Sequence, residues 1–222
     1  MTASTFDMRR WMNAEARIAF TGMLRRRSYS EGQFIYIQDE AGSEMYCIVS
    51  GSVRLSVSRK DGRETVFLLF GPNDCFGVSS LIDGEPRPQT ARALTPVELG
   101  VLEADEFRRL RAEHPSFSDA LLRLAFRQMR EVSTHLADAK LSSVDARVAA
   151  RIIELTPMSS VTGPEHLKVR LPQSEIASMV GASRQSVNKA LQSFQRNGWV
   201  TLQHTNIIVH DLPALVRISS RS

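Results

Sequence analysis

The sequence predicts an α+β protein in three consecutive parts: a β-rich domain over 1–115, one long helix over 116–140 and a winged helix-turn-helix over 141–222. Three observations carry this. Glycines at 32, 42, 51, 62, 71, 77, 84 and 100 punctuate short β-rich runs, the beat of a small barrel or sandwich. Leu122, Ala125, Met129, Val132, Leu136 and Ala139 recur at spacings of 3, 4, 3, 4 and 3, a heptad seam. Between Leu171 and Leu191 two short amphipathic stretches bracket Gly181.

In chain order, Met8 to Leu24 reads as a helix, and Arg25 to Arg27 as its solvated end. The runs Phe34 to Ile37, Met45 to Val49, Val53 to Val57, Thr65 to Phe70 and Val97 to Leu102 read as strands, with a hairpin turn at Gly62. Such a domain has an interior, and small barrels often hold one ligand there. Ala104 to Glu113 is a charged helix closed by His114 and Pro115. On the long helix that follows, a second apolar set, Leu121, Leu124 and Phe126, is expected to pack on the β domain, leaving the seam for a second copy. The competing reading packs the seam on the helix's own domain. Ser142 and Ser143 cap a helix from Val144 to Leu155, a loop runs from Pro157 through Pro164, and Pro213 to Ile218 forms a terminal helix.

In the helix-turn-helix, Pro172 suits a helix start, Ile176 and Val180 share a buried face, Gly181 ends the first helix and Ser183 caps the second. Val187, Leu191 and Phe194 fall on one face of that second helix. Arg184, Gln185, Asn188 and Lys189 fall on the other. These long donors and amides can reach base edges in the major groove, Arg or Lys to guanine and Asn or Gln to adenine. A plain helical hairpin with a solvated face would share this pattern. Two further strand-like runs, Gly198 to His204 and Ile207 to His210 around a turn at Thr205-Asn206, add a wing and favour DNA.

Charge agrees with that placement. The chain carries a net +4, yet residues 1–140 hold 19 basic and 19 acidic side chains, whereas 141–222 hold 9 and 5. The whole surplus lies where phosphate would be met. Two cysteines are too few for a disulfide framework or a four-thiolate cluster, and no CxxC spacing occurs. Cys47, inside a strand-like run, is expected to be a buried apolar residue; Cys75, beside a glycine turn, is the better thiol-sensor candidate. No apolar run approaches a membrane span, and no signal-peptide core precedes residue 17, so a reduced cytoplasm is the expected setting.

The order of parts, with Glu175 through Val187 (EIASMVGASRQSV) and the set Phe76, Gly77, Pro86, Arg87 and Thr90, resembles the CRP/FNR family of bacterial transcription regulators. The resemblance covers nearly the whole chain. It implies a β-roll or jelly-roll sensory domain of the cyclic-nucleotide-binding type and a homodimer joined through the long helix. It also implies double-stranded promoter DNA and RNA polymerase as partners, with half-sites roughly 34 Å apart. By position, Arg184 is similar to the family arginine that pairs with guanine. Lys189 stands where a second base-reading arginine is usual, and Gln185 where many members carry glutamate, which predicts a changed base preference, toward adenine. Gln173, Ser174 and Ser183 would contact the phosphate backbone.

The implied effector is a cyclic nucleotide, cyclic AMP or cyclic GMP, with Gly77 and Arg87 at its phosphate; the residues call for no other cofactor and no metal. Here the family pattern is interrupted. Val78 replaces the glutamate that accepts from the ribose, and Pro88 removes a backbone donor beside the phosphate. An unpaired ribose hydroxyl costs about 1–3 kcal/mol. Ser133, beside Thr134, is either a purine contact or a small polar residue near a helix interface. Two readings stay open: a regulator set by an effector in the β domain, and an effector-independent regulator with a degenerate pocket. An enzyme is not expected, because no metal spacing, nucleophile elbow or P-loop occurs. A third class, a β domain serving as a protein-interaction module, would not need the heptad seam.

Overall fold

The computed structural model describes residues 6–59, 64–156, 167–170, 173–203 and 206–219. The chain divides into two compact units at the step between Val132 and Ser133, inside the long helix rather than at its start.

The first unit opens with a 3-10 turn over Met8–Trp11 and continues into α1 (Ala14–Met23). The single helix expected over Met8 to Leu24 is therefore broken. Asn13 explains the break: its side chain accepts the N–H of Ala16, the geometry of an N-cap, so the helix starts anew there. Arg25 to Arg27 are not a helix end but lie in strand β1 (Arg25–Tyr29). This strand has no apolar alternation. It is held by antiparallel pairing to β8 (Val97–Glu103) and by ion pairs of Arg25 with Glu103 and Arg26 with Glu98.

The remaining strands are β2 (Phe34–Tyr36), β3 (Glu44–Ser50), β4 (Val53–Ser58), β5 (Glu64–Phe70), β6 (Cys75–Phe76) and β7 (Thr90–Ala93), with a short helix α2 (Ser79–Asp83) after β6. They form two four-stranded sheets, ordered β1-β8-β3-β6 and β2-β7-β4-β5, every pairing antiparallel. Both sheets contribute to one core: Met45, Ile48, Leu99 and Val101 from the first, Val53, Leu55, Ala91 and Ala93 from the second. This is the expected sandwich. The turn at Gly62 lies outside the described residues, but β4 and β5 pair on either side of it.

Helix α3 (Ala104–Glu113) ends at His114, and α4 runs from Pro115 to Leu141, with proline at the first position, where its missing N–H is tolerated. Leu121 and Leu124 are buried in the β-domain core, as expected of the second apolar set. Phe126 is not: it is 53% exposed, alongside Leu122 at 59%, Met129 at 55% and Leu136 at 57%. Val132, expected in the seam, is half-buried against the β-domain core instead. The reason is helical phase: Phe126 lies four residues after Leu122 and Val132 eleven after the buried Leu121, so an α-helix carries the first toward the seam and the second toward the domain.

The second unit contains α5 (Val144–Leu155), β9 (Leu167–Arg170), α6 (Gln173–Val180), α7 (Arg184–Arg196), β10 (Val200–Gln203), β11 (Asn206–Val209) and α8 (Leu212–Ser219). Ser143 caps α5 by accepting from Ala146 N–H. The wing has three strands, β10-β11-β9, rather than two, because β9 returns to pair with β11. Helix α5 packs against α6, α7 and α8. Pro157 to Pro164, Pro172, His204 and Thr205 lie outside the described residues.

Candidate nucleic-acid interface and effector pocket

The apolar residues of α6 and α7 fix the polar ones. Ile176, Val180, Val187, Leu191 and Phe194 are all buried. Gly181 takes a left-handed φ of +62°, which turns the chain between the helices. Ser183 then caps α7: its hydroxyl accepts the Ser186 N–H at 3.1 Å. The opposite face of α7 is therefore turned outward, and there Gln173, Arg184, Gln185, Asn188, Lys189 and Gln192 line one concave surface of about 500 Å³.

Four of the expected residues on α7 thus share one surface with Gln173 from α6. Gln192 was missed, although it follows Asn188 by one helical turn and its periodicity could have found it. Asn188 and Gln173 are also joined directly, Asn188 Nδ2 donating to Gln173 Oε1 at 3.2 Å, which ties the two helices across the groove. Ser174 and Ser183 are exposed at the helix starts but do not line this surface. Among the described residues no acidic side chain lines it, and its charged members are Arg184 and Lys189.

In the β domain, Arg87 is buried, 3% exposed. Nη1 donates to the Gly77 carbonyl at 2.6 Å and Nη2 to the Glu44 carbonyl at 2.7 Å. The guanidinium also lies 4.3 Å from the ring centroid of Tyr36. Gly77 has a φ of +78°, and a Cβ there would come within 3.2 Å of Arg87 Nη1. Gly42 is tighter: a Cβ would meet Ser80 Cβ at 2.5 Å and Arg87 Nε at 2.6 Å. Arg87 Nε and the Ser80 hydroxyl are buried with no hydrogen-bond partner among the described residues. Val78 is buried and offers no acceptor. Ser133 is exposed on α4 and belongs to the other compact unit.

Electrostatics around Arg87 are settled mostly by its neighbours. Glu44 is held below the ordinary glutamate range, chiefly by hydrogen bonds from Arg27, with the Tyr46 hydroxyl adding and burial opposing. Burial pushes the Tyr36 and Tyr46 hydroxyls upward, so both remain neutral. Tyr36, Tyr46 and Phe76 form an aromatic wall, with Tyr46 and Phe76 stacked at 5.2 Å.

The cysteines depart from expectation. Cys47 is buried, but neither it nor Cys75 is a free thiol: the two are joined by a disulfide between β3 and β6. Register brings them opposite each other, a non-local fact. No group of histidine, cysteine or carboxylate side chains suited to a metal occurs among the described residues, and no helix among them is long and apolar enough to cross a membrane.

Residues 26–114 match the cyclic nucleotide-binding domain family, and residues 146–218 match the Crp-like helix-turn-helix domain family. The chain is 34% identical over 201 residues to a CRP-like cAMP-activated global transcriptional regulator of Mycobacterium tuberculosis, covering 90% of each chain. It is 29% identical over 195 residues to the cyclic AMP receptor protein of Thermus thermophilus, covering 88% of each. Among solved structures, a CRP-family transcriptional regulator from Thermus thermophilus superposes with a TM-score of 0.76 at 27% identity, covering 88% of this chain and 97% of that one. FixK2 from Bradyrhizobium japonicum gives 0.78 at 18% identity over 90% and 98%, a likeness of fold alone.

Proposed function

Because the chain belongs to the CRP/FNR family of bacterial transcription regulators, and is not an enzyme, we propose that it acts as a homodimer on a pseudo-palindromic promoter site, with RNA polymerase as a further partner. The observation that carries the reading is the groove on α7, with Arg184, Gln185, Asn188 and Lys189 side by side and no acidic side chain among its described lining residues. Arg184 pairs with guanine, Lys189 with guanine or phosphate, and Gln185 and Asn188 favour adenine. Gln173, Ser174 and Ser183 set register on the backbone. A single helix-turn-helix reads one half-site, so two copies related by a twofold axis read a palindrome.

The homodimer is supported by Leu122, Met129 and Leu136, which α4 leaves exposed in one stripe, and by Phe126, which joins them. Ala125 stands beside that stripe; Val132 serves the seam less, and the side chain of Ala139 lies outside the described residues. The deciding experiment uses Leu136→Glu and Met129→Glu. Sedimentation should show monomers, and a selection from random duplexes should return no palindrome. A monomer that still selects a palindromic site would overturn the dimer.

The effector reading places cyclic AMP or cyclic GMP at Arg87, where the unpartnered Nε and Ser80 hydroxyl supply donors suited to an anion. A second reading is favoured by a specific observation: both terminal nitrogens of Arg87 are already bonded to carbonyls, and Val78 gives the ribose nothing. In that reading the regulator needs no effector. A thermal-shift titration separates them, since a ligand that binds only the folded state adds about 2.7 kcal/mol at a hundred times its Kd. A saturable rise supports the nucleotide; a flat response at millimolar nucleotide supports effector independence.

A further inference from the structure

We propose that Cys47 and Cys75 form an oxidation site, at which a peroxide closes a covalent bond between β3 and β6 and stiffens the segment that carries Gly77. The argument begins with register. Cys47 and Cys75 face each other across an antiparallel ladder, with Cα atoms 4.1 Å apart. The Cys75 N–H donates to the Phe6 carbonyl rather than to β3, and the flanking ladder bonds run between Ile48 and residues 73 and 74. The cysteines therefore occupy a non-hydrogen-bonded pair, the kind that brings opposing side chains closest. They are the only two cysteines in the chain, so each has one intramolecular partner.

The location gives the pair something to control. β6 is two residues long and ends its sheet. Successive residues point to opposite faces, so the cysteine pair backs directly onto the stacked Tyr46–Phe76 pair. Gly77 follows at once, and its carbonyl holds Arg87. On the other side, Asp74 accepts from the N–H groups of Phe6 and Gly71, and Gln128 of α4 donates to the Cys75 carbonyl at 3.3 Å. Residues 73–78 thus join the N-terminal segment, the Arg87 pocket and the long helix, through hydrogen bonds with Phe6 and Arg9 on one side, from Arg87 to the Gly77 carbonyl, and from Gln128 to the Cys75 carbonyl. Two unbonded thiols stand farther apart than bonded sulfurs, so reduction loosens this junction at the sheet's short edge strand.

The chemistry balances with hydrogen peroxide as oxidant. A thiolate attacks the O–O bond, forming a sulfenic acid and, after protonation, one water; the second thiol displaces the hydroxyl, forming the S–S bond and releasing a second water. Two thiols lose two electrons and two protons, and the peroxide gains them. A dithiol reductant reverses the change by exchange.

The test uses the full-length protein, treated with dithiothreitol or with hydrogen peroxide, and needs neither nucleotide nor DNA. After peroxide the intact mass should fall by two hydrogen atoms, and unfolding should expose no alkylatable thiol. Amide exchange over 73–78 should then be about tenfold slower than in the reduced protein, because local opening is suppressed. Cys47→Ala should exchange like the reduced protein whether or not peroxide is added. Two alkylatable thiols after peroxide, an added oxygen mass in place of a lost pair of hydrogens, or equal exchange in both states would each overturn the proposal.

Discussion

Arg184 and Arg87 are both arginines that the family resemblance assigns to a ligand, a guanine edge for the first and a cyclic phosphate for the second, and the fold treats them oppositely. Arg184 stands exposed at the start of α7 in a groove shared with Gln185, Asn188 and Lys189. Arg87 is buried, stacked on Tyr36 and bonded to two backbone carbonyls. One is turned outward in that groove; the other already holds strand β3 to the loop after β6. The lesson is that an arginine's contribution to binding and to folding can be separated by asking what its nitrogens do without the ligand.

The sharpest way to break this comparison is to remove each in turn. Arg87→Ala takes charged donors from two partly buried carbonyls, and should lower the stability of the β domain by about 2–4 kcal/mol. Arg184→Ala should leave stability unchanged and cost about 1–3 kcal/mol in specific DNA binding. Chemical unfolding and fluorescence anisotropy on each variant read the two effects. An Arg87 variant as stable as the parent would mean that those carbonyls do not depend on it.

The same contrast explains what could be read from the residues alone. The α7 groove was legible because it rests on local periodicity: buried Val187, Leu191 and Phe194 fix the outward direction of Arg184, Gln185 and Lys189. The sandwich was legible from its glycines and apolar runs. β1 was not, since Arg25, Arg26 and Arg27 are held by partners about 17 to 78 residues away, among them Glu44, Glu98 and Glu103. The cysteine bond was hidden for the same reason, because only strand register sets Cys47 opposite Cys75. Phe126 and Val132 show a subtler limit. Both fit an apolar helix, and the heptad spacing misassigns them where the helical phase relative to Leu121 and Leu122 separates them.

A smaller effect sharpens the comparison within the DNA-binding unit. Ser183 caps α7 and is also proposed to meet phosphate, so the two roles should come apart by substitution. Ser183→Ala should cost about 1 kcal/mol of stability through the lost cap. Ser183→Asp keeps a capping oxygen and should recover that stability while weakening DNA binding, because a carboxylate repels phosphate. Recovery of both would show that the hydroxyl acts only as a cap.

The smallest expected effect lies beside Arg87, where charge is compensated internally. Glu44 accepts two hydrogen bonds from Arg27, both at 2.8 Å, and one from Tyr46 at 2.7 Å. These hold its carboxyl below the ordinary glutamate range, with Arg27 the main cause. The folded chain therefore binds this proton less tightly than the unfolded one does. Its stabilising contribution is complete above about pH 4.3, the unperturbed glutamate value, and is lost as pH falls toward the depressed one. Because Arg27 is partly exposed, Glu44→Gln should cost only about 1 kcal/mol or less at neutral pH. Urea unfolding of parent and variant across pH 7 to 3 should give curves that converge as Glu44 protonates. Parallel curves over that range would place the stabilisation in the packing of the side chain rather than in its charge.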